Sequence, residues 1–338
     1  GLIVERDRII EEFKEAFSFG LQAKGESWEA LALINGDEKF VENENLANEK
    51  IKGIKRDGWK VEKVEVKEKK KFPPKPFDLT ELQKEANKSL KLTAQKTLGL
   101  TQKLYEMKYV TYPRTDSEYL TEGMKEEAYD LAVKMATDEQ RKILRKGDEK
   151  FGFVNSKKVT DHYAIIPTGE KVGNLEKDEK ALYLLIKNRF ITAWMKPKVW
   201  DEKAFEIVNE GIIFQGRVNS VKDNGFVKEK EEGEGVFPGE VGEFLKAVDA
   251  GILKRKSSKP KYYTEATLLT AMKGAGRQLE GELSEAMKER GLGTPATQAS
   301  IIETLKKRKY IEDSKGNLKS SKVGKQLIDL VSPKLRDA

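Results

Sequence analysis

Apolar residues recur at helical spacing near the start of the chain, at Ile3, Ile9, Ile10, Phe13 and Phe17, which predicts a helix over residues 2–17. Residues 31–34 and 59–66 read instead as strands, set off by turn residues such as Asn35, Gly36 and Asp37. Residues 69–77, K-K-K-F-P-P-K-P-F, hold three prolines in a basic stretch and predict a linker. From Asp78 to about Trp194 the pattern is mainly helical. Thr80 and Gln83 have capping-box spacing, and Leu82, Ala86, Leu90, Leu92, Leu98, Leu100 and Leu104 predict one or two helices leading to Tyr105. Strand-like runs return at 204–208, 211–218 and 236–244. A second basic break at 254–261, K-R-K-S-S-K-P-K, precedes a helical C-terminal region. This order predicts a helical domain inserted into a discontinuous β-rich domain, with the two chain ends meeting in a helical body.

Composition narrows the class. A chain of 338 residues has room for two or three domains. Charged residues make up 36% and hydrophobic ones 38%, and because the latter fall in periodic segments the chain reads as globular. Lysine and arginine number 64 against 57 acidic residues, a net charge of +7, which suits a polyanion partner. The absence of cysteine excludes disulfides, thiolate metal sites and cysteine nucleophiles. No apolar run approaches the roughly 20 residues of a bilayer span, and the N-terminus has no signal-peptide pattern, so no membrane partner and a cytoplasmic location are expected. The chain enters its first helix directly at Gly1, as an excised piece of a longer protein would.

The candidate chemistry centres on V-T-Y-P-R-T-D-S, residues 110–117. Pro113 disfavours helix before it, so the segment reads as extended, and Tyr112 and Arg114 then share a side, about 6–7 Å apart at the backbone. A phenol and a guanidinium so placed suit one oxyanion; they also suit a merely stacked surface pair, with Asp116 and Ser117 capping a following helix. The single histidine, His162 in V-T-D-H-Y-A-I-I-P-T, is a structural residue or a donor to a phosphate oxygen. With no cysteine and no second histidine a zinc set is not offered. Gln102 and Glu106, four apart, share a helix face that reads equally as ordinary solvated surface.

Near the C-terminus, G-L-G-T-P-A-T (291–297) resembles a dinucleotide fingerprint, but it follows the helical pattern of 283–290 rather than a strand, which excludes a Rossmann turn. Thr294 as N-cap and Pro295 at the first helical position predict a helix start, which suits a phosphate or is capping alone. The downstream K-K-R-K-Y-I-E-D-S-K-G-N-L-K-S predicts a helix end and a β-wing, the outline of a winged helix. The sequence contains neither a P-loop nor a D-x-D-x-E cluster.

Four ordered segments carry a wider resemblance: P-F-D-L-T-E-L-Q-K-E-A-N (76–87), Y-V-T-Y-P-R-T-D-S (109–117), D-H-Y-A-I-I-P-T (161–168), and Y-T-E-A-T-L with G-L-G-T-P-A-T (263–297). The chain resembles type IA DNA topoisomerases, in particular the topoisomerase III branch, over essentially its whole length. That resemblance implies a toroidal, multidomain α and β gate. Its parts would be a helical base (1–20 and 261–338), a β-rich arch (21–75 and 198–260), and an inserted helical, winged-helix-like domain with the nucleophile (76–197). It implies Tyr112 as nucleophile on single-stranded DNA, forming a 5′-phosphotyrosine, with Arg114 stabilising phosphoryl charge and His162 on a phosphate. Gln102, Glu106, Thr111, Thr115, Asp116, Lys158 and Thr297 fall where the family lines the active site or DNA strand.

Because a phosphotyrosine conserves the phosphodiester energy, the resemblance implies no ATP. It implies no cofactor or metal held by this chain, magnesium being expected in the full-length enzyme through an N-terminal toprim domain that this chain lacks. The implied partners are single-stranded, negatively supercoiled or catenated DNA and that toprim domain, in the cytoplasm at the nucleoid. Two departures stand out: Gln298 where many relatives carry arginine, and Tyr163 in place of the second histidine of D-H-H-A. Two other functions compete: a single-stranded DNA-binding gate without turnover, and an unrelated basic winged-helix protein.

Overall fold

The computed structural model describes residues 1–227, 235–245, 248–275 and 291–331. The helical pattern read at 283–290, and part of the 263–297 motif span, lie outside the described residues. In chain order the first elements are α1 (Leu2–Glu12), β1 (Phe17–Lys24), β2 (Glu29–Ala32), α2 (Glu44–Gly53), β3 (Trp59–Lys71), α3 (Leu79–Leu90), α4 (Ala94–Glu106), α5 (Lys125–Met135), α6 (Asp138–Ile143) and α7 (Lys177–Ala193). They continue with β4 (Lys198–Asn209), β5 (Ile212–Asp223), β6 (Phe244–Leu245), β7 (Asp249–Lys256), α8 (Glu265–Gly274), α9 (Pro295–Lys307), β8 (Ile311–Ser314), β9 (Asn317–Ser320) and α10 (Lys322–Leu330). Backbone contacts divide the chain into two compact units, one of Gly1–Phe13, Pro73–Met195 and Pro260–Ala338, the other of Lys14–Phe72 and Lys196–Lys259. The segments read as 76–197 and 261–338 therefore fall largely in one contact unit.

The second unit is a seven-stranded antiparallel sheet in the order β6-β3-β4-β5-β2-β1-β7. Its apolar face gathers Trp28, Trp59, Phe205, Phe214 and Phe237. Phe205 and Phe237 stack at 3.7 Å, with Trp28 edge-on to both. Gly216 is required there, because a Cβ would lie 2.1 Å from the Phe205 ring and 2.6 Å from the Glu29 carbonyl. Beyond Val66 the side chains of β3 are exposed and charged, so its outer half is held by the ladder to β4 rather than by a core.

The sheet corrects several expectations. The first helix ends at Glu12, and Phe17 opens β1, where it pairs with Lys256. Lys69, Lys70 and Lys71 are strand rather than linker, paired with Trp200, Val199 and Lys198, and Lys254 to Lys256 likewise complete β7. Of the run at 236–244 only Phe244 enters a strand, because Pro238 lacks an amide donor and Gly242 turns the chain at positive φ.

In the first unit α3, α4 and α7 pack around Leu79, Leu82, Ala86, Leu98, Leu104, Leu182 and Ile186. A second core joins α1, α8, α9 and the β8–β9 hairpin through Ile3, Leu268, Leu269, Met272, Ile302 and Leu318. Lys315 and Gly316, both at positive φ, form the two-residue turn of that hairpin, the primed geometry that matches strand twist. Buried acids bind distant segments. Glu265 accepts from the Ala94 amide at 2.6 Å and meets Lys306, and Asp7 accepts from the Ser320 amide and hydroxyl, each at 2.6 Å. The α3 cap is Asp78, which accepts from the Glu81 amide at 2.6 Å, rather than Thr80. Gln83 is buried and donates to the Ala94 carbonyl.

Candidate active site

From Tyr112 to Ser117 buried and accessible positions alternate: Pro113, Thr115 and Ser117 point in, and Arg114 and Asp116 are exposed. Tyr112 is half-buried on the accessible side, as an extended segment requires. Asp116 and Ser117 cap no helix, because the next helical turn begins after Thr121. Asp116 instead accepts from the Thr160 hydroxyl at 2.6 Å, and the Ser117 hydroxyl accepts from the Tyr119 amide at 3.1 Å.

Threonine hydroxyls fix this segment against the one carrying the histidine. Thr111 donates to the Ala164 carbonyl and accepts from the Ile166 amide, each at 2.9 Å. Thr115 is 2% exposed, donates to the His162 carbonyl at 2.9 Å and accepts from the Ser117 amide at 3.1 Å. Its carbonyl in turn accepts from the Leu79 amide, tying the segment to the start of α3. His162 is thereby held between two hydroxyl ties, Thr115 on its own carbonyl and Thr160 on Asp116.

The rings follow from this framework. Tyr112 lies 4.2 Å from His162, centroid to centroid, and 5.5 Å edge-on from Tyr105 at the end of α4. Two adjoining cavities share His162 as a wall. One, of about 370 Å3, is lined by Tyr112 and His162 with Tyr105, Lys108, Tyr163 and Thr168. The other, of about 210 Å3, is lined by Arg114, Thr115, Asp116, Thr160, Asp161 and His162 together with Thr294, Pro295 and Ala296. The start of α9 thus opens onto the cavity that holds Arg114. A helix N-terminus carries partial positive charge, so guanidinium, imidazole and helix end favour an anion there, against the opposing carboxylates of Asp116 and Asp161.

The other sequence-predicted residues are distributed unevenly around these cavities. Gln102 donates to Glu106 at 3.1 Å on the exposed face of α4. Thr297 is occupied in capping α9, its hydroxyl accepting from the Thr294 amide at 2.9 Å. Lys158 stands 5.3 Å over the Tyr119 ring and lines neither cavity. Gln298 is 2% exposed and donates to the Leu292 and Gly293 carbonyls at 3.4 and 3.3 Å, so it steadies the loop before Thr294. Tyr105, Lys108, Thr160 and Thr168 were not singled out as site residues. The usable signal was local: Tyr105 is the exposed position at the end of an amphipathic helix, and Lys108, at φ 65, ends the turn that delivers Tyr109 and Val110. Among the described residues no group of three His, Cys, Asp or Glu side chains is placed to hold a metal ion. No described helix is long and apolar enough to cross a membrane.

A family model described as DNA topoisomerase matches residues 1–338. The DNA topoisomerase 3 of Staphylococcus aureus is 31% identical over 352 residues, an alignment covering 99% of this chain and 49% of that protein. The DNA topoisomerase 3 of Bacillus licheniformis is 32% identical over 363 residues with the same coverage. The chain therefore spans about half the length of the curated relatives it matches. The solved structure of full-length topoisomerase I from Thermotoga maritima is similar with a TM-score of 0.71 at 29% identity, over 97% of this chain and 53% of that one.

Proposed function

The chain belongs to the DNA topoisomerase family, and from that premise we propose that it is the gate and nucleophile portion of an ATP-independent type IA enzyme. The carrying observation is the placement of Tyr112 against His162, in a wall shared with the cavity of Arg114 and the start of α9. The Tyr112 oxygen attacks a phosphodiester of single-stranded DNA; its bond to phosphorus forms as the bond to the 3′ oxygen breaks. The phenol gives up its proton, the departing 3′ oxygen gains one, and a 5′-phosphotyrosine remains. Reversal by the 3′-hydroxyl reseals the strand after another has passed. Arg114 stabilises charge on the phosphoryl oxygens as the transition state forms, and His162 donates to the same or a neighbouring phosphate.

Asp116, Thr111 and Thr115 act in this reading by holding the nucleophile segment. Gln102, Glu106, Lys158 and Thr297 lie along the DNA path. The wider scheme belongs to the same proposal: a base from residues 1–20 and 261–338, an arch from 21–75 and 198–260, and a nucleophile domain from 76–197. So do magnesium held by a toprim domain of the whole protein, supercoiled or catenated DNA as substrate, and action at the nucleoid.

The test is covalent trapping in the full-length topoisomerase. End-labelled single-stranded oligonucleotide should migrate with the protein on a denaturing gel, and Tyr112→Phe should lose that band. A band that persists in Tyr112→Phe would sink the assignment. Binding with no band in the native protein would leave a single-stranded DNA gate without turnover.

A further inference from the structure

The cavity of Tyr112 is larger than one phenol and one imidazole need. At about 370 Å3 it has room for a further planar ring. Two of its tyrosines are not used by the chemistry: Tyr105 and Tyr163 are 38% and 36% exposed, so both offer accessible ring surface beside the nucleophile. Tyr105 meets Tyr112 in a T-shaped contact, 5.5 Å between centroids, rather than by face-to-face stacking. The cavity's charge is also one-sided. Lys108 lines it and, among the described residues, no carboxylate does, whereas the adjoining cavity of Arg114 contains Asp116 and Asp161. Its backbone frame is rigid, because the Thr168 hydroxyl donates to the Lys108 carbonyl at 2.5 Å and the Thr168 amide to the Tyr109 carbonyl at 3.2 Å. Aromatic faces beside a cation, with no acid, are the surface on which single-stranded nucleic acid seats its bases.

We propose that this cavity is a base-stacking pocket. It takes one unstacked base of the single strand against Tyr105 and Tyr163, with Lys108 meeting the adjacent phosphate. The inference rests on Tyr112 acting on single-stranded DNA, and it names the groups that seat the neighbouring nucleotide. Every base has a π-face, so the pocket tolerates any sequence. Stacking holds the strand in register while the phosphodiester is broken.

The test uses this chain with oligothymidine carrying 2-aminopurine at one internal position. Binding should quench the fluorescence. Replacing both side chains, Tyr105→Leu with Tyr163→Leu, should weaken binding about tenfold, the order set by base–aromatic stacking, and abolish the quench with the salt dependence unchanged. Tyr105→Phe with Tyr163→Phe keeps the faces and should keep the quench, which separates stacking from loss of fold. Lys108→Gln should retain the quench while lowering the salt slope by about 0.7, the value for one phosphate contact on a single strand. Binding whose quench survives the double leucine variant overturns the stacking pocket alone. An oligonucleotide that does not bind overturns it together with the reading of this chain as a single-strand gate.

Discussion

The cavity beside Tyr112 and the groove on the sheet of the second unit both carry lysines, but they dispose of the charge in opposite ways. In the groove, of about 750 Å3, Lys63, Lys67, Lys69 and Arg217 are answered by carboxylates of the same sheet. Lys63 and Lys67 flank Glu65 at 2.9 and 3.1 Å, and Lys69 and Arg217 reach Glu202 at 3.8 and 3.9 Å. The hydrogen bond to Glu65 raises the Lys63 pKa, and the hydrogen bonds from Lys63 and Lys67 lower that of Glu65. Beside Tyr112 the cation lines a cavity with rings and hydroxyls. Counting lysines would rank the groove first as an anion site; pairing reverses the order, because a cation already hydrogen-bonded to a carboxylate gains little from a phosphate.

Perturbing the two regions should give effects that fall in the same order. Tyr112→Phe should remove covalent attachment altogether in the full-length enzyme with strand binding nearly unchanged, seen as loss of the labelled band on a denaturing gel. Arg114→Ala should slow cleavage by about 2–4 kcal/mol, as removal of other transition-state donors does. Single-turnover rates alongside binding should show the loss in the rate, with His162→Ala smaller. Equal losses in rate and affinity would make both residues ground-state anchors. Thr115→Val leaves the His162 carbonyl and the Ser117 amide without their partner and should cost about 1–3 kcal/mol of stability in urea unfolding. A neutral result there would remove the hydroxyl tie from the account of how His162 is placed. Smallest of all, Lys63→Gln in the sheet groove should leave the salt slope of single-strand binding unchanged. A slope reduced by a full phosphate contact would erase the contrast between the two regions.

How much of this was legible in the sequence depended on distance along the chain. The α9 start at Thr294 and Pro295, and the hairpin turn at Lys315 and Gly316, are local chemistry and were readable as a helix start and a wing. The side shared by Tyr112 and Arg114 followed from proline and strand alternation. Hidden were features whose partners are remote. Lys69 to Lys71 read as a basic linker because the strand that pairs them, from Lys198 to Trp200, lies far along the chain. The Thr115 and Thr111 hydroxyls donate to backbone carbonyls 47 and 53 residues away, partners that local sequence does not display. The meeting of Arg114 with Thr294 required the fold itself.

The bond between Asp7 and Ser320 has a consequence for the order in which the protein is made. The two residues are 313 positions apart, and Asp7 is only 3% exposed. On a ribosome α1 leaves the exit tunnel before the strands of the sheet unit, and the hairpin that binds its carboxylate leaves after them. Every strand of the sheet unit is synthesised in the interval. The sheet can therefore complete its ladders while α1 still waits, with Ile3 and Val4 uncovered. Folding of the helical unit is timed by translation of the β8–β9 hairpin. A nascent chain that has emerged from the tunnel only as far as residue 260 should present a finished sheet and an open helical core, the species for which a chaperone has most time to act.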